Sequence, residues 1–365
     1  MATHVQFDDE RILIDGRPTY EGRAHRDTPV EGLLFNARLV QGLFDDLNEE
    51  TRGQWAYPDT GEWDTERNLR EFLAHMPVWR DHGLLGLTLN LQCGNPIRGT
   101  GAGGVVPLDQ PWHVSAYRAD GTLREDWLRR LAQILDEADR LGMVVILGLF
   151  YFGQDHRLRD AAAVRAAAEN VIGWLDDTGR RNVIVEVANE CNVPRYRHEL
   201  LQPAGIVTFI QELRAATSTA LPLSASWAGV PQLGTVVPSQ ELLDVVDVAL
   251  VHGNEVHDPA DFAAQIRSVR ERTRRRPVPI VVNEDNHFDF DTPGNHLDVA
   301  VENYASWGYF DPGAGGDYND GFQCPPVNWG LTTARKQAFF GQLSGITGHP
   351  GAGLPANVAA GETRA

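Results

Sequence analysis

The sequence predicts an α/β fold in the form of a single (β/α)8 TIM barrel. Apolar runs of strand length alternate with segments whose apolar residues recur every three or four positions, and about eight such pairs follow one another along the chain. Eight pairs close a barrel of about 250 residues, so a chain of 365 residues has room for insertions. An open, doubly wound sheet is the alternative, but the glycine-rich turn expected after its first strand is missing from LLFNARLVQGLF.

The predicted strands and loops can be placed in chain order. A small N-terminal β-hairpin over about residues 11–21 turns at Asp15-Gly16 and precedes the first barrel strand. Two long loops, 94–121 and 311–329, follow strands two and eight, on the face where barrels build their active sites. A single domain is predicted over residues 1–348, with a flexible tail at 349–365. The eight predicted strands are residues 33–40, 84–91, 143–150, 183–188, 221–226, 245–251, 279–282 and 307–310.

The clearest helix-to-strand unit lies between Trp127 and Phe150. Apolar residues recur at helical spacing up to Leu141, Gly142 follows as a C-cap, and the segment MVVILGLF is continuously apolar. Such a run is typical of a strand buried on both faces. Helices of the same kind are predicted near residues 69–76, 160–175, 206–213, 259–273, 297–303 and 336–343.

Composition and charge exclude several classes of partner. Acidic residues outnumber basic ones by 50 to 32, and a net charge of -18 disfavours nucleic acid and anionic membranes as partners. No segment approaches the ~20 apolar residues of a membrane helix, and the N-terminus lacks the pattern of a signal peptide, so a cytoplasmic location is expected. Three distant cysteines predict neither a disulfide framework nor a zinc site. The sequence predicts no particular oligomeric state.

Polar and aromatic residues cluster at the ends of the predicted strands, which point into the mouth of a barrel. Amides bind sugar hydroxyls, aromatic rings stack on the apolar faces of sugars, and paired carboxylates break acetals. The mixture therefore predicts a carbohydrate substrate. The candidates from strands two to eight are Asn90, Gln92, Tyr151, Gln154, Asn189, Glu190, Trp227, His252, Asn254, Asn283, Glu284, Asp285 and Trp307.

Two of these residues carry the predicted chemistry. Glu190 ends strand four and Glu284 ends strand seven, so the two carboxylates are expected to face each other across the mouth. Retaining glycosidases place two carboxyl groups about 5–5.5 Å apart, one as nucleophile and one as acid and then base. The acid must hold its proton near neutral pH, which burial and a neighbouring carboxylate can provide. The structural alternative is a helix-cap carboxylate at Glu190 and a loop ion pair at Glu284.

These strand ends resemble those of clan A glycoside hydrolases, the cellulase-like barrels. The resemblance rests on Asn189-Glu190 after an apolar strand, Glu284 after VPIVVN, His252 in ALVHGNE and Trp307 at strand eight. It implies that Glu190 is the acid/base and Glu284 the nucleophile of a retaining hydrolase. Arg38 is the candidate for an arginine that members of the clan carry near strands one and two.

Exo action on small oligosaccharides or glycosides is predicted from the two long loops. Strands two and eight flank strand one in a closed barrel, so loops 94–121 and 311–329 should wall off one side of the mouth. Tyr318, Phe322 and Trp329 are expected to anchor the second loop. A barrel that binds carbohydrate without hydrolysing it, and a metal-dependent barrel hydrolase, are the alternatives.

Other motifs argue for chemistry without a cofactor or metal. GTGAGG, residues 99–104, is followed by VVP rather than a helix and is interpreted as a loop. The segment HFDFD, residues 287–291, has residues that can ligate a divalent ion, but strand one supplies no histidine for a metallohydrolase. Lys336 is the only lysine, and its expected place in a surface helix argues against a Schiff-base enzyme.

Overall fold

The computed structural model describes residues 2–94, 96, 108–233, 236–313, 318–349 and 351. Within these residues, parallel strands surrounded by helices form a barrel, which confirms the predicted fold class. Barrel strands 1 to 8 are Asn36–Arg38, Gly86–Asn90, Val144–Phe150, Val183–Ala188, the two segments Leu223–Ser224 and Ser226–Trp227, Ala249–His252, Ile280–Asp285 and Ser306–Tyr309.

The fifth strand closes the barrel. It is interrupted at Ala225, and its first segment pairs with barrel strand 4 whereas its second pairs with barrel strand 6. Barrel strands 8 and 1 also pair in parallel, so the hydrogen-bonded ladder runs around the whole circle. A closed barrel leaves no exposed sheet edge, and it brings the carboxyl ends of all eight strands to one mouth.

The helices form the outer layer, with their apolar faces against the strands. Glu125–Leu141 buries Trp127, Leu131 and Ile134 on one face and ends at Gly142, whose φ of 65° is the left-handed conformation of a C-cap. The α-helices are Glu49–Arg52, Thr65–Asp81, Glu125–Leu141, Ala161–Asp177, Pro203–Thr217, Gln240–Leu243, Pro259–Thr273, His296–Glu302 and Ala334–Thr347. No helix among the described residues is both long and apolar enough to cross a membrane.

The predicted N-terminal hairpin is present and belongs to a small antiparallel sheet. Arg11–Ile14 pairs with Arg17–Pro18 around the turn at Asp15-Gly16, and an additional strand, Val5–Asp8, completes the sheet. The backbone N–H of Val5 donates to the carbonyl of Arg181, just before barrel strand 4. The sheet therefore covers the amino end of the barrel, opposite the candidate site.

The long loops follow barrel strands 2 and 8 as predicted, although residues 95, 97–107 and 314–317 lie outside the described residues. Phe322 and Trp329 anchor the second loop, since both are fully buried and their rings stack 6.0 Å apart. The hydroxyl of Tyr318 donates to Glu71 at 3.3 Å. Most of the predicted tail also lies outside the described residues, so the domain boundary at residue 348 stays a prediction.

Lys336 is buried, contrary to its expected place on the surface of a helix. Its Nζ donates to the carbonyls of Asn328 at 2.8 Å and Gly330 at 3.3 Å, and it lies 4.0 Å from the centre of the Phe322 ring. Backbone carbonyls and an aromatic face replace the water that the ammonium group loses. Lys336 thus fastens the end of the second loop to helix Ala334–Thr347.

Candidate active site

The structure brings Glu190 and Glu284 together at the mouth. One carboxylate oxygen of each and a ring nitrogen of His252 all lie within 4.8 Å of one another. The Nδ1 atom of His252 is 2.9 Å from Glu190 Oε1 and 3.5 Å from Glu284 Oε2. Two carboxylates and one imidazole from barrel strands 4, 6 and 7 therefore form a compact group.

The backbone around these residues departs from regular strand geometry. Glu190 has φ of 47°, a left-handed conformation that costs a non-glycine residue about 1–3 kcal/mol. Its backbone N–H donates to Ser226 Oγ at 2.8 Å, which holds the turn in place. The register between barrel strands 6 and 7 shifts where His252 pairs with Glu284. Such irregularities re-aim side chains at the rims of barrels.

Arg38 is a permanent cation of the site. Its side chain is only 2% exposed, with Nε 2.6 Å from Glu284 Oε2 and Nη2 donating to Asn189 Oδ1 at 2.7 Å. Burial lowers the pKa of Arg38, but the nearby acidic groups, Glu284 first, raise it above its usual value. The guanidinium group therefore stays charged, neutralises Glu284 and fixes the Asn189 amide beside it.

Asn254 completes the surroundings of Glu284. Its Nδ2 donates to Glu284 Oε1 at 2.7 Å, while Arg38 occupies Oε2. Both oxygens of this carboxylate are thus held, which fixes the orientation of the group. The sequence places Asn254 at the end of strand six but does not indicate this contact, which depends on the shifted register between strands 6 and 7.

His252 and Glu190 form a buried, hydrogen-bonded pair. Burial alone would raise the pKa of the Glu190 carboxyl, but the hydrogen bond and the charge of His252 hold that pKa below its usual range. Burial lowers the pKa of His252, but the charge of Glu284 and the contact with Glu190 raise it above its usual value. The proton of the pair therefore resides on His252, contrary to the expectation that burial keeps Glu190 protonated.

This pair predicts a pH dependence of stability. The pKa of His252 is higher in the folded state than its unfolded value near 6.5. Protonated His252 therefore contributes fully to the free energy of unfolding below pH 6.5, and this contribution is lost as the pH rises through the folded-state pKa. We expect the free energy of unfolding in urea to fall over this range, and to fall less in Glu190→Gln, where the pairing charge is removed. The exposed substitution Glu169→Gln should keep the wild-type slope. Equal slopes for all three proteins would contradict the assignment.

Four further predicted residues belong to strands 2, 3 and 5. Gln92 is fully buried, and its Oε1 accepts the backbone N–H of Tyr151 at 3.2 Å, so it supports the neighbouring strand rather than facing the mouth. Asn90 lies below the site with both amide atoms buried. Tyr151 borders the carboxylates, since burial and the charges of Glu190 and Glu284 raise the pKa of its hydroxyl. Trp227 ends barrel strand 5 and is 5% exposed.

Trp307 is not brought to the mouth. It is fully buried, its Nε1 donates to Asp285 Oδ2 at 2.9 Å, and its ring lies 5.7 Å from that of Phe339 on the last helix. Side chains alternate along a strand, so Trp307 points outward while Gly308 faces the interior. A Cβ on Gly308 would lie 2.5 Å from Asn36 Oδ1 on barrel strand 1, which explains why the inward position is glycine.

Phe310 is an aromatic residue that the sequence analysis missed and that strand alternation directs toward the mouth. The alternation that turns Trp307 outward directs Phe310, directly after barrel strand 8, to the same side as Gly308. Phe310 is partly exposed and makes no ring contact with another aromatic residue among the described residues. Its presence after a strand was visible in the sequence, but its direction required the register of the strand.

Glu186 is a third carboxyl group near the site and was also missed. It is fully buried in barrel strand 4, and among the described residues neither of its oxygens has a hydrogen-bond partner. Burial raises the pKa of its carboxyl despite the nearby charges of Arg38 and His252. The protonated form is therefore favoured, since an isolated buried carboxylate is costly. A glutamate inside the apolar run VIVEVA was the available signal.

Comparison with known proteins identifies the fold. No protein-family profile matches the sequence, and no curated protein matches it. A GH5-4 broad specificity endoglucanase from Bacteroides salanitronis is 12% identical, with a TM-score of 0.54 over 86% of this chain and 93% of that one. An endo-1,4-beta-mannanase from Rhizomucor miehei is 9% identical, with a TM-score of 0.53 over 84% and 89% of the two chains.

A further similar structure covers more of the chain. The glycoside hydrolase family 5 mannosidase from Rhizomucor miehei is 13% identical, with a TM-score of 0.52 over 95% of this chain and 98% of that one. Identities this low establish the architecture and leave the chemistry to the site itself. The chain therefore has the barrel fold of the family 5 glycoside hydrolases, as the resemblance to clan A implied.

Proposed function

We propose that the protein is a retaining glycoside hydrolase that uses Glu284 as nucleophile and Glu190 as acid/base. The observation that carries the proposal is the separation of the two carboxylates, whose nearest oxygens lie within 4.8 Å. Retaining enzymes place their carboxyl groups about 5–5.5 Å apart, whereas inverting enzymes leave about 6.5–9.5 Å for a water molecule. The spacing therefore favours direct attack by one carboxylate on the sugar.

Each residue then has a defined part in the double displacement. Glu284, oriented by Arg38 and Asn254, attacks the anomeric carbon while Glu190 protonates the departing oxygen. In the second step Glu190 takes a proton from water, and the resulting hydroxide displaces Glu284 from the sugar. Asn189 accepts from Arg38 through Oδ1, which leaves its amide nitrogen to donate to a substrate hydroxyl.

The proton for the first step is stored on His252 in the free protein. Its Nδ1 lies 2.9 Å from Glu190 Oε1, within direct transfer distance. Binding of a neutral sugar dries the site and disfavours the separated charges, which moves the proton onto Glu190. In the pH profile of kcat/KM, the decrease on the basic side is therefore expected to follow the raised pKa of His252.

Phe310 is proposed as a platform for the apolar face of a sugar, in the role that the sequence analysis gave to Trp307. Truncation in Phe310→Ala should raise KM up to about tenfold, because an aromatic contact contributes roughly 0.5–1.5 kcal/mol beyond its buried area. Phe310→Leu keeps most of the apolar surface and should show a smaller effect. A KM for Phe310→Ala equal to that of the wild type would contradict the role of Phe310 as a sugar platform.

Exo action on small oligosaccharides or glycosides is proposed from the described ends of the two long loops. Gly94 and Gln323 approach each other above barrel strand 1, since a Cβ on Gly94 would lie 2.9 Å from Gln323 Nε2. Gln41 on the same side donates to the Gln323 carbonyl at 2.9 Å. Incubation with a defined oligosaccharide should release a monosaccharide first. Internal fragments without monosaccharide would instead establish an open cleft.

The experiment that tests the function is hydrolysis of a panel of pyranose and furanose aryl glycosides. The best substrate is then followed by NMR, which reads the anomeric configuration of the first product. We expect retention of configuration. A product of inverted configuration would contradict the double-displacement mechanism. Binding of sugars without any turnover would favour the alternative of a non-catalytic carbohydrate-binding barrel.

A metal-dependent hydrolase is the second alternative, because Glu190, His252 and Glu284 offer three ligand atoms within 4.8 Å. Arg38 argues against a divalent ion at this place, since its buried guanidinium already lies 2.6 Å from Glu284 and would repel a second cation. Activity is therefore expected to be unchanged after treatment with a chelator. Loss of activity in the presence of a chelator, with recovery of activity on added metal, would favour the metal-dependent alternative.

A further inference from the structure

Two histidines meet at the rim of the mouth, on the loops that follow barrel strands 6 and 7. The Nδ1 atom of His257 lies 3.1 Å from Nε2 of His287, and the two rings are tilted by 67°. These two ring nitrogens come from separate loops and lie within hydrogen-bond distance of each other. The His257 side chain is 73% exposed, so this position on the rim is open to solutes.

Asp285 fixes the orientation of His287. Its Oδ1 lies 2.5 Å from His287 Nδ1, while Oδ2 lies 2.8 Å from His296 Nδ1 and accepts from Trp307 at 2.9 Å. Asp285 is fully buried and both of its oxygens are occupied, so it acts as an orienting group rather than as a ligand. A carboxylate on one ring nitrogen leaves the other, Nε2, directed outward, which is the usual arrangement behind metal-binding histidines.

The surroundings of His287 carry negative charge. The Asp285 carboxylate contacts His287 directly, and Asp289 and Glu255 add negative charge nearby. Both Asp289 and Glu255 are exposed, and Glu255 Oε2 lies 3.9 Å from His257 Nε2. A cation at the rim would meet two imidazoles in surroundings of negative charge.

We propose that His257 Nδ1 and His287 Nε2 bind one divalent transition-metal ion, with zinc as the best fit. Zinc binds imidazole nitrogen at about 2.0–2.1 Å in tetrahedral geometry, which separates two nitrogen ligands by about 3.3 Å. The observed 3.1 Å needs only a small opening. Water is available for the remaining positions, and the ion would connect the loop after His252 to the loop after Glu284.

This site is separate from the catalytic group. It uses nitrogens of His257 and His287, whereas the group at the mouth consists of Glu190, His252 and Glu284. The segment HFDFD contributes His287 as a ligand and Asp289 as a nearby charge. The other partner comes from a different strand end, so the pairing was not visible in the sequence.

Zinc titration of the chelator-treated, dialysed full-length protein tests the proposal by calorimetry. One saturable site is expected in wild type, and His257→Ala should weaken it about tenfold or more. His257 is mostly exposed, so this variant should fold normally, and His287→Ala provides the second arm. His4→Ala, an exposed histidine on the covered end of the barrel, and Glu190→Gln, in the catalytic group, should keep wild-type affinity.

Cobalt provides a readout that does not depend on activity. Tetrahedral Co2+ bound to nitrogen and oxygen ligands absorbs visible light strongly, and this band should appear in wild type and vanish in both His257→Ala and His287→Ala. Zinc affinity unchanged in His257→Ala would overturn the proposal, as would the absence of any saturable site in wild type. Loss of binding in Glu190→Gln with retention in His257→Ala would place the ion in the catalytic group instead.

Discussion

Replacing Glu284 by Gln is expected to lower kcat by roughly 10⁴-fold or more, because the amide cannot form the covalent bond to the sugar. Glutamine has nearly the same volume, and its side-chain oxygen can still accept from Asn254 or from Arg38. The loss should therefore appear in kcat measured with an activated aryl glycoside, while sugar binding is largely kept.

Stability must be measured beside activity for this variant. Removing one partner of a buried ion pair costs about 3–5 kcal/mol, and Arg38 would lose its counter-charge in Glu284→Gln. A urea titration establishes whether the variant is folded under the assay conditions. Glu169→Gln, the same change at an exposed position, should leave both activity and unfolding unchanged. A folded Glu284→Gln protein that turns over at the wild-type rate would falsify the assignment of the nucleophile.

The fold was predictable because the helical spacing of apolar residues and the continuous apolar runs of buried strands are both strong in the sequence. Runs such as MVVILGLF are buried along their whole length, and the helix Pro259–Thr273 matches its predicted bounds. Strand ends were less predictable. Barrel strand 7 extends to Asp285, three residues beyond the predicted end, because Asn283, Glu284 and Asp285 break the apolar pattern while remaining buried in the sheet.

The direction of side chains was the main quantity that the sequence could not specify. A shift of one residue in the phase of a strand reverses the side to which every side chain points. Trp307 and Phe310 differ by an odd number of positions, so only one of them can face the mouth in a regular strand. The structure turns Trp307 toward Asp285 and the last helix, which leaves the mouth to Phe310.

Long-range polar contacts were equally out of reach. Lys336 is buried because the carbonyls of Asn328 and Gly330 surround its ammonium group, and nothing in its helix indicates that loop. The position of Glu190 at a strand end was predictable, but the charge state of its carboxyl was not, because that state depends on His252, which lies 62 residues away. Burial alone gives the wrong direction for the pKa when a buried partner can carry the proton.

Replacing Glu190 by Ala should affect two steps by different amounts. A natural leaving group needs protonation, so its hydrolysis should fall by roughly 10²–10⁴-fold, the range attributed to general acid catalysis. An aryl glycoside whose leaving group departs without a proton still forms the covalent glycosyl intermediate on Glu284. The reaction then stalls because no base activates water. His252 remains in the variant, but Glu190 is one of the two carboxylates, with Glu284, that raise its pKa, so the pKa of His252 should fall when Glu190 is removed.

Azide separates a lost base from a damaged site. The small anion fits the space vacated by the Glu190 carboxylate and needs no base to attack the anomeric carbon, so it should restore turnover of the aryl glycoside. The azide product should carry the configuration opposite to the bond on Glu284, that is, the configuration of the substrate. Azide should not accelerate Glu284→Ala with the same product, because that variant has no intermediate to release. Rescue of both variants to the same configuration, or of neither, would contradict the assignment of Glu190 as acid/base, since the two carboxylates act from opposite sides of the sugar ring.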